Sequence, residues 1–416
     1  MRKKLKSGAL QLVTFIIVVI AVLLSSFILF IHIHKQFRLK TNHTIETVAL
    51  VDKGIREVLY SKGNLKDTVT INLHDKTYKS LKVHHSFWGS FEKVYAKAKI
   101  KTTSLSKTAL IGSAISTKNK PALYVKDNNK PLVLVGDTRI NGNAVLPKSG
   151  IKTGHISGKS FYGERYVYGR TEVSNDLPML DRNLLQYLEE LKAGNFEALD
   201  INLEPSKSYT NSFKNELQLA YTESEIVLSN STIVGHIIIR SKSKITVDAT
   251  AKLSDVILIA PVIEVQPNVT GRFQAIATKG INIGTNVELS YPSALVLLQN
   301  YTKEGNGNSK AITIADHSKI AGQVVVLGNT RANNYDAQLK ISANAIVEGM
   351  VYCEQNVELR GTVYGSVYTD NFIIKEGGSI FQNHLYNALI DSSKLTSKYA
   401  GISFINSKKS VAKWLY

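Results

Sequence analysis

Residues 245–265 read ITVDATAKLSDVILIAPVIEV, and both ends carry the same figure: Ile245-x-Val247 and, 18 residues later, Ile263-x-Val265. The figure returns as Ile281-x-Ile283, Ile312-x-Ile314, Leu339-x-Ile341 and Val357-x-Leu359. Successive steps are 18, 18, 31, 27 and 18 residues. Each long step holds a polar insert, at 300–309 and 328–336, and removing 13 and 9 residues there restores 18. A fixed period near 18, built from alternating β-branched residues, predicts a mainly β chain wound as a parallel β-helix. Each coil of such a solenoid buries its apolar pairs against the coils above and below.

A second, shorter motif lies inside the period. It is apolar-x-Gly-x-Val, seen as Ile320-Ala-Gly322-Gln-Val324, Val347-Glu-Gly349-Met-Val351 and Val363-Tyr-Gly365-Ser-Val367. Another apolar residue precedes each by six positions: Ile314, Ile341 and Val357. Two strand faces and a glycine corner per coil give this spacing. Aligned on the glycines, the last coil comes out two residues short. Gly235, Gly322, Gly349 and Gly365 are the expected corner glycines, where a tight bend follows one inward side chain. The motif resembles the bactofilins, bacterial polymer-forming β-helix proteins, over about 225–375. The resemblance implies the fold and end-to-end self-association. This chain departs from that family by its long N-terminal half.

Ile-x-Gly steps at Ile140-Asn-Gly142, Ile156-Ser-Gly158 and Ile233-Val-Gly235 place the start of the solenoid near Leu132. A helix is expected at 181–193, with Asp181 as N-cap, Leu184, Leu185, Leu188 and Leu191 as its apolar face, Glu189 and Glu190 on its solvated side, and Gly194 as its stop. The tail from Asn383, with Leu385, Tyr386, Leu389 and Ile390, is expected to cap the last coil, with Trp414 as a plug or, as the alternative, a recognition site. Open solenoid ends are otherwise templates for strand addition.

Residues 9–31, from Ala9 to Ile31, carry no charge. That is long enough to cross a hydrocarbon core of about 30 Å as a helix. The run ends in Phe30, Ile31, His32, Ile33 and His34, a poor signal-peptidase site, which favours a retained anchor. Arg2, Lys3, Lys4 and Lys6 precede it and Lys35, Arg38 and Lys40 follow, so the charge rule is nearly balanced. A cytoplasmic N-terminus with the bulk of the chain in the periplasm or on the cell surface is expected, because a short tail stays inside more easily than a large β-rich domain. Ile45, Val48, Val51, Ile55 and Val58 continue a helical stripe to about Tyr60, with Ser61 to Asn64 ending it. A single helix from Ala9 to Tyr60 would be about 78 Å long. Strands of a small sheet are expected at 68–73, 94–100 and 109–114.

A basic leader ending in Gly8, a long apolar helix, an amphipathic stem and a small sheet together resemble a type IV pilin or minor pseudopilin over about 1–115. In that family a peptidase cuts after the glycine, and a Glu at the fifth mature position neutralises the neighbouring subunit's terminus. Cleavage between Gly8 and Ala9 would make Val13 the fifth residue, so the Glu is absent here, as in some minor, tip-located members.

The organisation expected is a basic tail or leader (1–8), a transmembrane helix (9–33), a helical stalk (34–62) and a small β-rich domain (63–130). Early coils or a linker with the inserted helix follow (131–210), then the β-helix (211–382) and a cap (383–416). The chain has 416 residues and a net charge of +18. Between His34 and Lys130 stand 19 Lys and Arg against 7 Asp and Glu. A basic stretch beside a membrane suits anionic lipid, an anionic envelope polymer or nucleic acid, but a solvated lysine surface is the favoured reading. Cys353 is the only cysteine, so no intrachain disulfide forms, and its apolar neighbours mark it as a small core residue.

Catalytic signals are sparse. There is no Gly-x-Ser-x-Gly, no His-Glu-x-x-His and no phosphate loop. His84 and His85 are adjacent on an expected strand, so they point to opposite faces and share a metal poorly. His236 and His317 fall within coils, where hexapeptide acyltransferases use a His, but the strict hexad is missing. Asp248, Asp255 and Asp316 stand in scattered columns, unlike the clustered charges of β-helix polysaccharide lyases. Phe161, Tyr162, Tyr166 and Tyr168 are either strand packing or a sugar platform. The expectation is a membrane-anchored structural or assembly protein of the cell envelope. It has protein partners or self-association, no cofactor, no metal, no catalytic residue and no small-molecule substrate. Holding an anionic polymer is the alternative, and a carbohydrate-active enzyme the third reading.

Overall fold

The computed structural model describes residues 7–60, 69–71, 78–114, 120–204, 206–299, 311–328 and 334–415. The basic leader, the helix stop at 61–64, the insert at 300–309, most of the insert at 328–336, and Tyr416 lie outside the described residues. Two compact units are present: 1–57 with 68–84 and 95–107, and 58–67 with 85–94 and 108–416.

In the first unit α1 (Ser7–Tyr60) is one helix of 54 residues, about 80 Å long. Its apolar residues are exposed through Leu39, and burial begins only in its last third, at Thr47, Val51 and Ile55. Gly54 allows that end to lie against the sheet. A Cβ there would stand 2.9 Å from Val83 and 3.1 Å from Leu81. The strands here are β1 (Val69–Ile71), β2 (Lys79–Trp88), β3 (Phe91–Ile100) and β4 (Thr103–Ala114), of which 85–94 and 108–114 belong to the second unit. Along β3, Ala96, Ala98 and Ile100 are buried while Lys97 and Lys99 are exposed, the alternation of a half-buried strand.

The second unit is the solenoid. Its first face is the sequence repeat itself. Ile245 pairs in parallel with Ile263, Ile263 with Ile281, Ile281 with Ile312, Ile312 with Leu339, and Leu339 with Val357. Each step of the period is therefore one rise of a coil. The second face stacks Leu253, Gly271, Leu289, Ile320, Val347 and Val363. The third stacks Ile239, Leu258, Ala275, Leu295, Val324, Val351 and Val367. Inward residues of all three faces form one continuous core. Each fully buried aliphatic side chain contributes roughly 1.5–3 kcal/mol.

The short last coil has a plain cause. Leu359, not Val357, stacks on Ile341, so the corner leading to Val363 has lost two residues. The third faces stay in register because Gly349 pairs with Gly365.

The stacking order of coils departs from their order in the sequence. The earliest solenoid strand is Pro121–Val125, upstream of the expected start at Leu132, and it lies beyond the coil of 362–376 rather than before 199. Phe372 O accepts from Asn383 N, Leu389 and Ile390 stack on Thr362 and Val363, and Leu123 stacks on Val367. One coil is thus assembled from 383–391 and 121–125, as if Asp391 were followed by Pro121. The coils of 132–146 and then 151–173 continue outward from it. The chain then travels back through α2 (Arg182–Ala193) and restarts at Leu199, at the opposite end.

The tail also differs from a simple cap. Its first part, 383–391, belongs to the composite coil. Its remainder leaves the solenoid end and pairs antiparallel with 108–114 of β4. Trp414 stands opposite Ala109 at 41% exposure, so it is an edge-strand residue and not a plug. A plug requires the core to be open where the chain ends, and the coils of 121–173 already cover it.

Candidate functional site

The third face has apolar residues on both sides. Ile257, Ile259, Ile276, Val296, Val325 and Tyr352 point away from the solenoid core into a second cluster with Leu184, Leu188 and Leu191 of α2. Asp181 caps α2 through Asn183 N and Leu184 N, and Gly194 ends it at φ 84°. The runs Ile237–Ser241, Val256 to Ala260 and Val324 to Val326 lack alternation, which is the mark of strands buried on both sides. That signal was present in the sequence and distinguishes this face from the alternating first face.

Residues 85–94, which belong to the second unit, are fastened to the same face. Gln274 accepts at Oε1 from Ser90 N (2.8 Å) and donates from Nε2 to Trp88 O (2.8 Å). Trp88 Nε1 donates to Asp255 O (3.0 Å). Asp255, at φ 64°, receives Arg272 through both carboxylate oxygens and Lys413 from the tail.

Beside it lies a buried ionic network. Glu92 accepts from His85 Nε2 at 2.7 Å, Lys409 Nζ at 2.6 Å and Ser403 Oγ at 2.6 Å. Burial pushes the Glu92 carboxyl up, but the His85 hydrogen bond and the Lys409 ammonium outweigh it and hold the carboxyl below its ordinary value. The residue types are those of a nucleophile triad, yet the order is wrong. Ser403 donates to the carboxylate and not to the imidazole, so nothing here activates its hydroxyl.

His236 donates from Nδ1 to Asn215 O (3.0 Å) and receives Lys93 Nζ at Nε2 (3.0 Å), between the rings of Trp88 and Phe213. Burial, then the Lys93 charge, push the imidazole down to about 4, and burial pushes the Lys93 amine down to about 8. Both groups bind fewer protons folded than unfolded, so stability rises with pH through about 4–6.5 for His236 and about 8–10.5 for Lys93. Above about pH 10 the sign reverses, because burial raises the Tyr352, Tyr368 and Tyr399 phenols and they stay protonated only in the fold. Denaturant unfolding across pH should therefore show a maximum between about pH 8 and 10, with a loss on the order of 2–3 kcal/mol from pH 7 to pH 4 that His236→Gln largely removes.

The corner glycines stand in columns. Gly322, Gly349 and Gly365 stack on one another at φ 148°, 151° and 157°, while Gly235 stacks on Asn211. Gly8 and Ala9 are exposed near the start of α1. His85 is buried and His84 half-buried. His317 is exposed at a corner with φ 60°, and Asp248 holds its own turn by accepting from Thr250 N (2.9 Å). Cys353 is buried, and burial drives its thiol far up, so it is poorly nucleophilic. Phe161 packs on the core, Tyr168 lies under Arg139 at 4.7 Å, and Tyr162 and Tyr166 are exposed. Phe161 and Tyr166 pack with ring centroids 5.6 Å apart. Among the described residues no group of three or more His, Cys, Asp or Glu side chains could hold a metal ion.

Two concavities stand out. One, of about 720 Å³, has Met179, Tyr352, Glu354 and Asp370 in its lining. Lys126 lies 3.5 Å from Asp176 and 3.6 Å from Asp370 at its rim, and Glu354 accepts from Gly328 N (2.8 Å). The other, of about 470 Å³, opens where the solenoid restarts, between 201–204 and 225–229.

No protein family matches the chain, and no curated protein does. Among solved structures, a similar chain is the competence-associated pilin ComZ from Thermus thermophilus, 9% identical, aligned over 90% of this chain and 97% of that chain at a TM-score of 0.23. Overlap that loose establishes neither a common fold nor a common activity.

Proposed function

We propose that the chain is a single-pass, membrane-anchored structural or assembly protein of the cell envelope, which holds a β-solenoid outside the membrane for protein partners or for further copies of itself. The observation that carries the reading is α1. Its window of highest mean hydropathy, 3.1, is wholly unburied, and the same unbroken helix ends packed on a folded sheet. An exposed apolar helix of this length is stable in lipid and costly in water. The N-terminus is cytoplasmic and the solenoid extracytoplasmic in this reading, with no catalytic step and no cofactor. A minor-pilin-like filament component is its narrower form.

Fractionation of native cells with N-terminal sequencing separates the forms. A mature start at Ala9, with material in the sheared surface fraction, makes the filament component the correct form. An intact Met1 in the membrane fraction leaves an anchored scaffold. A soluble chain lacking 1–31 removes the anchor altogether.

Lys82, Lys97, Lys99 and Lys101 are exposed together in the first unit, and they support a second role in holding an anionic polymer. That role requires binding to heparin or duplex DNA that weakens steeply between about 50 and 200 mM salt.

A further inference from the structure

The concavity at the restart of the solenoid has the form of an absent strand. In the interior coils, each first-face strand is paired along both edges. Ile226–Leu228 pairs with 245–247 on one edge, and no described strand pairs with the other. The chain does supply the neighbouring coil on the third face, at Leu199–Asp200, and on the second, at Ser208–Asn211. Between them, residues 202–204 are drawn aside by Tyr209, whose hydroxyl donates to Asn202 O (3.0 Å) and accepts from Glu204 N (2.8 Å). The hollow left behind, about 470 Å³, is lined by Ile201, Leu203, Tyr209, Ala220, Ile226 and Leu228. Ser231 also lines it. The residue is 7% exposed, and its buried Oγ has no hydrogen-bond partner.

We infer that this hollow accepts an extended peptide strand from a partner protein, with an apolar-basic-apolar sequence, which completes the first face of the first coil. The free strand edge supplies main-chain hydrogen bonds, the mode of strand addition to a sheet. The chain's own coils show what fits. At this position they place strands of three or four residues such as Leu339–Ile341 and Ala311–Ile314, with two inward aliphatic side chains flanking one outward polar residue. The basic preference follows from local charge. Residues 196–226 hold Glu197, Asp200, Glu204, Glu216, Glu223 and Glu225 against Lys207 and Lys214, a net −4 in a chain of +18. Glu204 and Glu225 line the hollow itself, each with one lysine beside it, Lys207 at 2.7 Å and Lys244 at 3.5 Å. The end of a second copy meets 201–204 of the same chain, which already line the hollow. A single strand can enter from the side. The inference stands whether or not α1 is an anchor.

The test uses the full chain in detergent micelles and a fluorescein-labelled octapeptide with an Ile-Lys-Ile centre, read by anisotropy. Saturable binding is expected. Ala220→Phe, whose ring fills the hollow, should weaken it by about tenfold or more while keeping the melting temperature. A peptide with an Ile-Glu-Ile centre should bind more weakly at low salt, and Glu204→Lys with Glu225→Lys should invert that order. Absence of binding at millimolar peptide overturns the inference. So does binding that Ala220→Phe leaves intact, or self-association of the chain that Ala220→Phe abolishes and the peptide does not displace.

Discussion

Glu92→Ala should lower the unfolding free energy of the solenoid unit by about 3–5 kcal/mol, the cost of breaking a buried ion pair by removing one partner. Glu92 is 1% exposed, and His85 and Lys409 both spend their hydrogen bonds on the same oxygen. Without it, a half-buried ammonium and a buried imidazole are left with no carboxylate partner. The loss also releases Ser403, whose carbonyl accepts from Asp181 N (2.9 Å) at the start of α2. The tail at 395–415 should then become susceptible to limited proteolysis under conditions where the intact chain resists it. Urea unfolding and a protease time course measure the two effects. The double variant Glu92→Met with Lys409→Met should recover most of the stability, because a well-packed apolar pair carries no desolvation cost. A change under about 1 kcal/mol in Glu92→Ala would show that the network does not hold the tail.

Gly349→Val should be equally severe. Gly349 sits at φ 151° between Gly322 below and Gly365 above, and a Cβ built on it lies 1.9 Å from Gly322 O. The obstacle is backbone, which cannot rotate aside. Strained φ costs about 1–3 kcal/mol and forced overpacking a similar amount, so about 3–5 kcal/mol together. Gly150→Ala is the control. Its φ is also positive, at 69°, but nothing lies within 4 Å of its Cβ, so it should lose only the conformational part, about 1 kcal/mol. Equal losses at the two positions would mean that the stacked carbonyl is not what excludes a side chain from the corner.

Much of this was legible along the chain. The pairs from Ile245/Val247 to Val357/Leu359 all turned inward and all stacked in the order their spacing implied. The Asp181 cap, the leucine stripe and Gly194 bounded α2, and 9–31 lay within one long helix. These features are set by side-chain type at fixed local periods, so neighbouring residues suffice to read them. The candidate site was far less legible. Gln274, Asp255 and Glu92 look like ordinary surface polar residues, and their partners lie 167 to 317 positions away in the case of Trp88 with Asp255 and Glu92 with Lys409. The hollow beside Ile226 is invisible because it consists of a strand that is not there.

The sequence by itself determined what each coil is: its length, its inward residues, its glycine corners, and the apolar helix that precedes it. Only the tertiary structure decided which coil lies on which. Parallel strands join through backbone N–H and C=O groups that every residue carries, so any edge can accept any other of the same rise, and periodicity is silent on the choice. The coil of 362–376 could have ended the solenoid, yet 383–391 and 121–125 close over it. Closure buries Leu123, Ile390 and Val367 together, and burial of core is a property of the assembled stack rather than of any segment within it.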